Sequence, residues 1–483
     1  MKNYVCPTLL LIFCQIAIAQ DHVWIVGGGP NLSNSQAQIE LNTQWIQTIL
    51  HQQRPNASIN TYYNDGYNPE KDVTVWQKPD ESLDNLQPLA RVFGLQYENG
   101  EHYRNHQIPA VIGSTTPDIL FDDMQRQFEQ LKKTDKVLFI YQGHGGHNED
   151  DITQNTLSLW DVSVSAKDFS QLLNHVPKKV PVRFFLPQCY SGGFAQVIYP
   201  QETTSTDLAS GQRCGFMASS AEYPAEGCSS SINTDDYRDY STYFFAALNQ
   251  RTRNNEPLKQ NPDRNGDNKI SLNEAHYYSL SQAESTDIPR STSEVYLSHW
   301  HPWYLPYVSW FDNNKAPKNI YAQIAKEIAL RYNFTATGKA LTVKLKQQSE
   351  NWVNTHENLF EKRGILNNNI AFLQEEIREA IAHKWPSVRY PYTKNFYNFL
   401  INDVTEAQQF IIKQPNYAKL VKMQEQDTAL EQQMLNLERK ITQIDKIQHL
   451  RTLARTLDQF KRYATKKEQE NYQRLLGCEN TLM

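Results

Sequence analysis

Two short segments carry residues that could do covalent chemistry. FIYQGHGGHN holds His144 followed by Gly145 and Gly146, and FFLPQCYSGGF holds Cys189 followed by Ser191, Gly192 and Gly193. A thiolate is a strong nucleophile, and an imidazole close to it can lower its pKa or take its proton. Attack on an amide places negative charge on the carbonyl oxygen, which backbone N–H groups must then meet. Glycines beside both residues let the backbone come close to a substrate. The amides of Gly145 and Cys189 are the expected oxyanion donors. Read structurally instead, His144 would cap a helix or share a metal with His147, and Cys189 would be a buried thiol. No second ligand pair at zinc spacing supports a metal there, and Cys-x-Ser-Gly-Gly is a poor core segment.

Such a pair needs elements that bring it together. HVWIVGG (22–28) reads as a buried strand ending in a glycine turn, followed by a helix over 34–52 and a strand over 58–65. Residues 66–116 read as loop. An amphipathic helix spans 117–133, and the strand VLFIYQGH ends at His144. A helix over 165–176, the strand VPVRFFLPQC, a short helix, a strand near CGFMASS and a helix over 239–250 follow. Strands alternating with helices predict a doubly wound, mostly parallel sheet. Ligands bind such sheets just past the strand ends, where both chemical segments lie. The two are joined by one predicted helix, so a right-handed crossover opens both strand ends on the same edge.

Strand–His–Gly followed by strand–Gln188-Cys189-Tyr190-Ser191-Gly192 resembles the legumain/caspase group of cysteine peptidases, and most closely the legumain-like branch and its bacterial relatives. The early GGGPNLSNS turn is similar to that branch too. The resemblance covers roughly residues 21–285. It implies a caspase-like α/β fold and endopeptidase activity with His144 and Cys189 as the catalytic pair and no metal in the chemical step; transpeptidase or ligase activity is also known in the group. It implies that the strand and loop MASSAEYPAEGCSS line the P1 pocket, making Ser219, Ser220 and Glu222 candidates; the alternative is an ordinary solvated loop. Pro187 stands where legumains carry an acidic pocket residue, so asparagine specificity does not transfer. Asn31 or Asn34 is the candidate for orienting the histidine.

A second motif is DRNGDNKISLNE (263–274). Asp263, Asn265, Asp267, Ser271 and Glu274 take the side-chain positions of an EF-hand loop, and Lys269 the position that offers a carbonyl. Asn268 stands where glycine is usual. The pattern predicts calcium in a structural or regulatory role; an Asx-rich turn with a helix cap is the alternative.

Residues 1–19 read as an export signal, with an apolar run too short to span a bilayer and a small-x-small site at Ala17–Ala19. The expected location is secreted or periplasmic, with no membrane span after cleavage. A net charge of -5 makes nucleic acid a poor partner, and the resemblance implies proteins or peptides as substrates. Of the six cysteines, four follow the signal, and Cys214 with Cys228 is the expected disulfide, leaving Cys478 unpaired. Residues 286–318, with Trp300, Trp303 and Trp310, read as a linker or domain edge. From 319 to 483 glycine nearly vanishes and helices dominate. Leu430, Met434, Leu437, Ile441 and Ile444 repeat at coiled-coil spacing. A helical hairpin packing on itself, or a partner-binding coiled coil, would give that stripe. In one alternative, the α/β domain is a non-catalytic scaffold and these helices do the work. In legumains a helical C-terminal region blocks the site; no sequence similarity extends to this one, and autoinhibition is here a hypothesis from domain order alone.

Overall fold

The computed structural model describes residues 20–77, 86–94, 100–200, 207–309 and 316–482. The proposed signal and Trp310 lie outside them. The strands are β1 (Asp21–Gly28), β2 (Ser58–Tyr63), β3 (Val73–Trp76), β4 (Glu101–Arg104), β5 (Val111–Gly113), β6 (Lys136–Gly146), β7 (Thr156–Leu159), β8 (Val162–Ser165), β9 (Val182–Leu186), β10 (Arg213–Met217) and β11 (Arg290–Ser291). The main sheet runs β11-β10-β9-β6-β1-β2-β5. Every pairing along that path is parallel except β10 with β11. The chain builds outward from β1 to one side, then returns beside it with β6 and builds to the other. The switch in direction therefore falls between β1 and β6, where a doubly wound sheet opens its crevice.

Helices cover both faces because alternate residues of each buried strand point to opposite sides. Trp24, Val26, Phe139, Tyr141, Phe184 and Leu186 meet α3 (Pro117–Phe128) and α4 (Ala166–Leu173). Val23, Ile25, Leu138, Ile140 and Phe185 meet α1 (Ala37–Gln53), α5 (Tyr240–Asn249) and α6 (Leu272–Gln282). The expected α/β sheet followed by a helical region is thus present.

The stretch 66–116, expected to be loop, holds the two-stranded β3-β4 ribbon, the edge strand β5 and helix α2 (Gln87–Phe93). These are pieces of three to seven residues, too short to show a period.

The C-terminal part contains α9 (Ile320–Arg331), α10 (Gly338–Lys384), α11 (Lys394–Asn402), α12 (Val404–Ile412), α13 (Tyr417–Tyr463) and α14 (Lys466–Glu479), after α7 (Thr292–Ser298) and α8 (Leu305–Ser309). Helices α10 and α13 form an antiparallel hairpin. Arg363 pairs with Asp427 at 2.7 Å, His356 with Glu438 at 2.8 Å, and Arg451 with Thr342 at 3.1 Å, one number rising as the other falls. The coiled-coil stripe is used within the chain: Met434 and Ile444 are buried, the latter in a core shared with α9 and α10.

Helix α14 returns to the sheet. Cys478 forms a disulfide with Cys214 of β10 across a separation of 264 residues. The buried Glu479 carboxylate accepts from the Ser293 amide at 2.7 Å and from the hydroxyls of Thr292 (2.7 Å) and Ser293 (2.6 Å), capping α7. Arg183 of β9 donates to the Leu482 carbonyl at 3.1 Å. The expected Cys214–Cys228 bond is therefore replaced, and both Cys189 and Cys228 are free. Proximity in sequence misleads here because β10 separates the two residues. Cys214 lies near the start of that strand and Cys228 in the loop beyond its end, while a disulfide needs Cα atoms within about 7 Å.

Trp300 is buried against Phe460 of α13 at 5.2 Å, and its indole N–H donates to Glu468 at 3.2 Å. Trp303 is 83% exposed, so the aromatic segment is only partly interdomain packing.

Candidate functional site

His144 lies near the end of β6, and Cys189 lies three residues beyond β9. These strands are adjacent and parallel. Ile140 pairs with Phe185, an offset of 45 residues, and 45 residues also separate His144 from Cys189. The same register, carried past the last paired residues, puts both positions on one face of the sheet at its C-terminal edge. The approach is close: a Cβ added to Gly145 would lie 2.3 Å from the Cys189 carbonyl oxygen, so only glycine fits. The residue after the thiol, Tyr190, is held in the left-handed region at φ 57, a sharp turn out of the strand path. Asn155 holds that turn, its amide donating to the carbonyls of Tyr190 at 3.0 Å and Ala221 at 2.8 Å. His147 is exposed, as expected of a loop residue, and stacks on Tyr190 at 4.7 Å.

The group that orients the imidazole is neither asparagine side chain. Asn31 caps the turn at Leu32–Asn34. Instead the side-chain oxygen of Gln36, the residue before α1, sits 2.7 Å from His144 Nε2. An amide oxygen only accepts, so Nε2 carries the proton and Nδ1 is the basic nitrogen. The main chain of Asn34 also hydrogen-bonds the ring. Gln36 leaves no sequence signal beyond its place in the turn after β1.

Both members of the pair are neutral at rest. Burial pushes the His144 imidazole below its usual value and the Cys189 thiol above its own. The thiol is bonded not to the imidazole but to the Ala225 carbonyl, at 3.8 Å. Ala225 belongs to the loop after β10, and that loop is anchored from two directions. Glu226 N–H donates to Asp287 Oδ1 at 2.6 Å, and the Glu226 carboxylate pairs with Arg439 of α13. Asp287 is buried, its other carboxylate oxygen has no partner, and burial pushes its pKa up to about 8.

The pocket candidates divide. Ser219 is buried, and its amide donates to Ser191 Oγ, in the turn after Cys189, at 3.2 Å. Ser220 sits at the loop base, its hydroxyl accepting from the Glu222 amide at 3.4 Å. Glu222 is exposed, within electrostatic reach of Arg290 and His299.

In the 263–274 loop the carboxylates serve the loop's own amides. Asp263 accepts from Gly266 at 2.7 Å and Asn268 at 2.9 Å, and Asn265 Oδ1 accepts from Asp267 at 2.8 Å. Asp267 accepts from Lys269 at 2.8 Å. Glu274 accepts from Arg264 at 3.0 Å and forms a capping box with Ser271. Asn268 does take the left-handed conformation expected there, at φ 61. Among the described residues no group of three His, Cys, Asp or Glu side chains is placed to hold a metal ion.

Among the described residues no helix is long and apolar enough to cross a membrane. No protein-family model and no curated protein matches the chain. Among solved structures, a structural-genomics protein from Geobacter sulfurreducens aligns at 12% identity and a TM-score of 0.35, over 56% of this chain and 92% of its own. A likeness that slight carries no argument about fold or function.

Proposed function

We propose that the chain is a cysteine endopeptidase of caspase-like fold. The observation that carries this reading is the shared register of β6 and β9, whose offset equals the spacing of His144 and Cys189. In the proposed reaction the Cys189 thiol leaves the Ala225 carbonyl, passes its proton to His144 Nδ1, and attacks the scissile carbonyl. The amides of Gly145 and Cys189 meet the oxyanion. The imidazolium returns the proton to the leaving amine, giving a thioacyl-enzyme that water hydrolyses. Gln36 holds the imidazole through both proton transfers. Incubation of the full chain with a mixed peptide library tests this, and the cleaved bonds report the P1 preference.

A non-catalytic scaffold is the second reading, and one observation favours it: the resting thiol is neutral and bonded away from the imidazole. Alkylation kinetics separate the two, because a scaffold has no cysteine whose reactivity depends on His144.

Regulation by the helical hairpin is proposed to run through Arg439. That residue clamps the loop carrying Ala225, the acceptor of the resting thiol. Arg439→Ala is expected to loosen the loop and raise the rate of Cys189 alkylation by iodoacetamide several-fold, with far-UV dichroism unchanged. An unaltered rate removes the hairpin from control of the thiol.

Calcium in the 263–274 loop is proposed as a structural ligand only. Binding would require Glu274 to turn from the Ser271 amide it now caps at 3.0 Å. Calcium added to chelator-treated protein is expected to raise Tm, and Asp263→Ala to remove the rise. A Tm indifferent to calcium would leave the segment as a helix-capping turn.

A further inference from the structure

At the sheet edge opposite the dyad lies a cavity of about 260 Å³, lined by Leu173, Val176, Val180, Lys178, Gln212 and Arg213, among others. Arg213 opens β10 and is only 8% exposed. Buried cations are normally paired with a carboxylate. Arg213 is not. Its guanidinium donates only to neutral oxygens: Asn174 Oδ1 at 2.7 Å, the Val197 carbonyl at 3.2 Å and Ser170 Oγ at 3.4 Å. Among the described residues no acidic side chain offsets the burial, which alone brings its pKa down to about 10. The guanidinium therefore stays charged at neutral pH. The second cation at the cavity, Lys178, stands exposed. Arg474 of α14 adds positive charge behind the loop, bonded to the carbonyls of Ala209 (2.6 Å) and Gly211 (2.5 Å). The rest of the lining is mixed, with Leu173, Val176, Val180 and Val182 beside Asn174, Ser210 and Gln212.

We infer that this cavity is a binding site for a small monocarboxylate with an apolar body, whose carboxylate supplies the counter-charge that no described residue gives Arg213. A planar guanidinium matches a carboxylate in a two-point contact. The aliphatic part of the wall suits a short hydrocarbon chain, which a free phosphate does not have. The volume is below the usual range for drug-sized ligands and limits the occupant to a handful of carbons. The site lies at the start of β9 and β10, whereas Cys189 follows the end of β9, roughly 17 Å away for a five-residue strand. It is thus independent of the peptidase reading.

Calorimetric titration of the full chain with hexanoate, hexanamide and inorganic phosphate tests the site, with Tm shifts as a second readout. Hexanoate is expected to bind and to raise Tm. Hexanamide should bind at least about tenfold more weakly, because it cannot neutralise the cation. Arg213→Met should abolish hexanoate binding without lowering the ligand-free Tm, since it removes an unpaired buried charge. Lys178→Glu, at an exposed position, keeps the fold and should weaken hexanoate by roughly threefold. Absence of hexanoate binding to the wild type, undiminished binding by Arg213→Met, or equal binding by Lys178→Glu would each overturn the site. Phosphate binding in place of hexanoate would overturn the ligand class.

Discussion

Cys189→Ala is expected to abolish peptide cleavage, lowering turnover by about 10⁴-fold or more, because it removes the sulfur that forms the thioacyl intermediate. The fold should survive, since the thiol makes one weak contact to the Ala225 carbonyl, at 3.8 Å. His144→Ala should cost nearly as much, as the two act as a unit. Gln36→Ala should cost about tenfold, by freeing the ring that now meets its amide at 2.7 Å. The resting charge state gives a second measurement. Burial raises the thiol and lowers the imidazole, so near neutral pH the thiol keeps its proton and the imidazole has none. Iodoacetamide alkylation of Cys189 should therefore climb with pH through neutrality and past the ordinary thiol value. A plateau reached already in acid would mean a resting thiolate–imidazolium pair, and the neutral resting state would be wrong. Cleavage persisting in purified Cys189→Ala would end the peptidase proposal itself.

Loss of the Cys214–Cys478 bond carries the second large effect. It closes a separation of 264 residues, and cross-links over long loops remove the most entropy from the unfolded chain. The chain-entropy model gives about 5 kcal/mol, and measured losses of native disulfides run from about 2 to 5. Cys478→Ser should lower Tm by several degrees, and reductant should reproduce the fall in the wild type while sparing the variant. Removing everything after residue 317 should do more. It deletes α14, uncaps α7 at Ser293, and takes away the carbonyl that Arg183 meets at 3.1 Å. Such a truncation is expected to be insoluble or molten, so its inactivity would say nothing about inhibition by the hairpin. Point variants at Arg439 test that question in the intact chain. Mass spectrometry of unreduced peptides settles the pairing: a Cys214–Cys228 linkage would refute it.

The sequence by itself determined the sheet and placed His144 and Cys189 near the ends of two of its strands. Runs such as VLFIYQGH and VRFFL are buried on both faces and can be little other than central strands. Their spacing through one helix fixes their order and direction. His144, Cys189 and the neighbouring glycines stand out in the sequence because the proposed chemistry and close backbone approach both restrict residue type. Even the αL residue of the 263–274 loop could be read, since Asn tolerates that conformation. What only the tertiary structure decided are contacts between segments far apart in the chain. Gln36 reaches His144 across 108 residues, Arg439 reaches Glu226 across 213, and Cys478 reaches Cys214 across 264. Local pattern carries no trace of such partners, because a glutamine amide or an arginine is as much at home on a solvated surface as in an ion pair. The same holds for Arg213: at the start of a strand it reads as an ordinary exposed cation, and only packing reveals that it is buried beside a cavity with no counter-charge among the described residues.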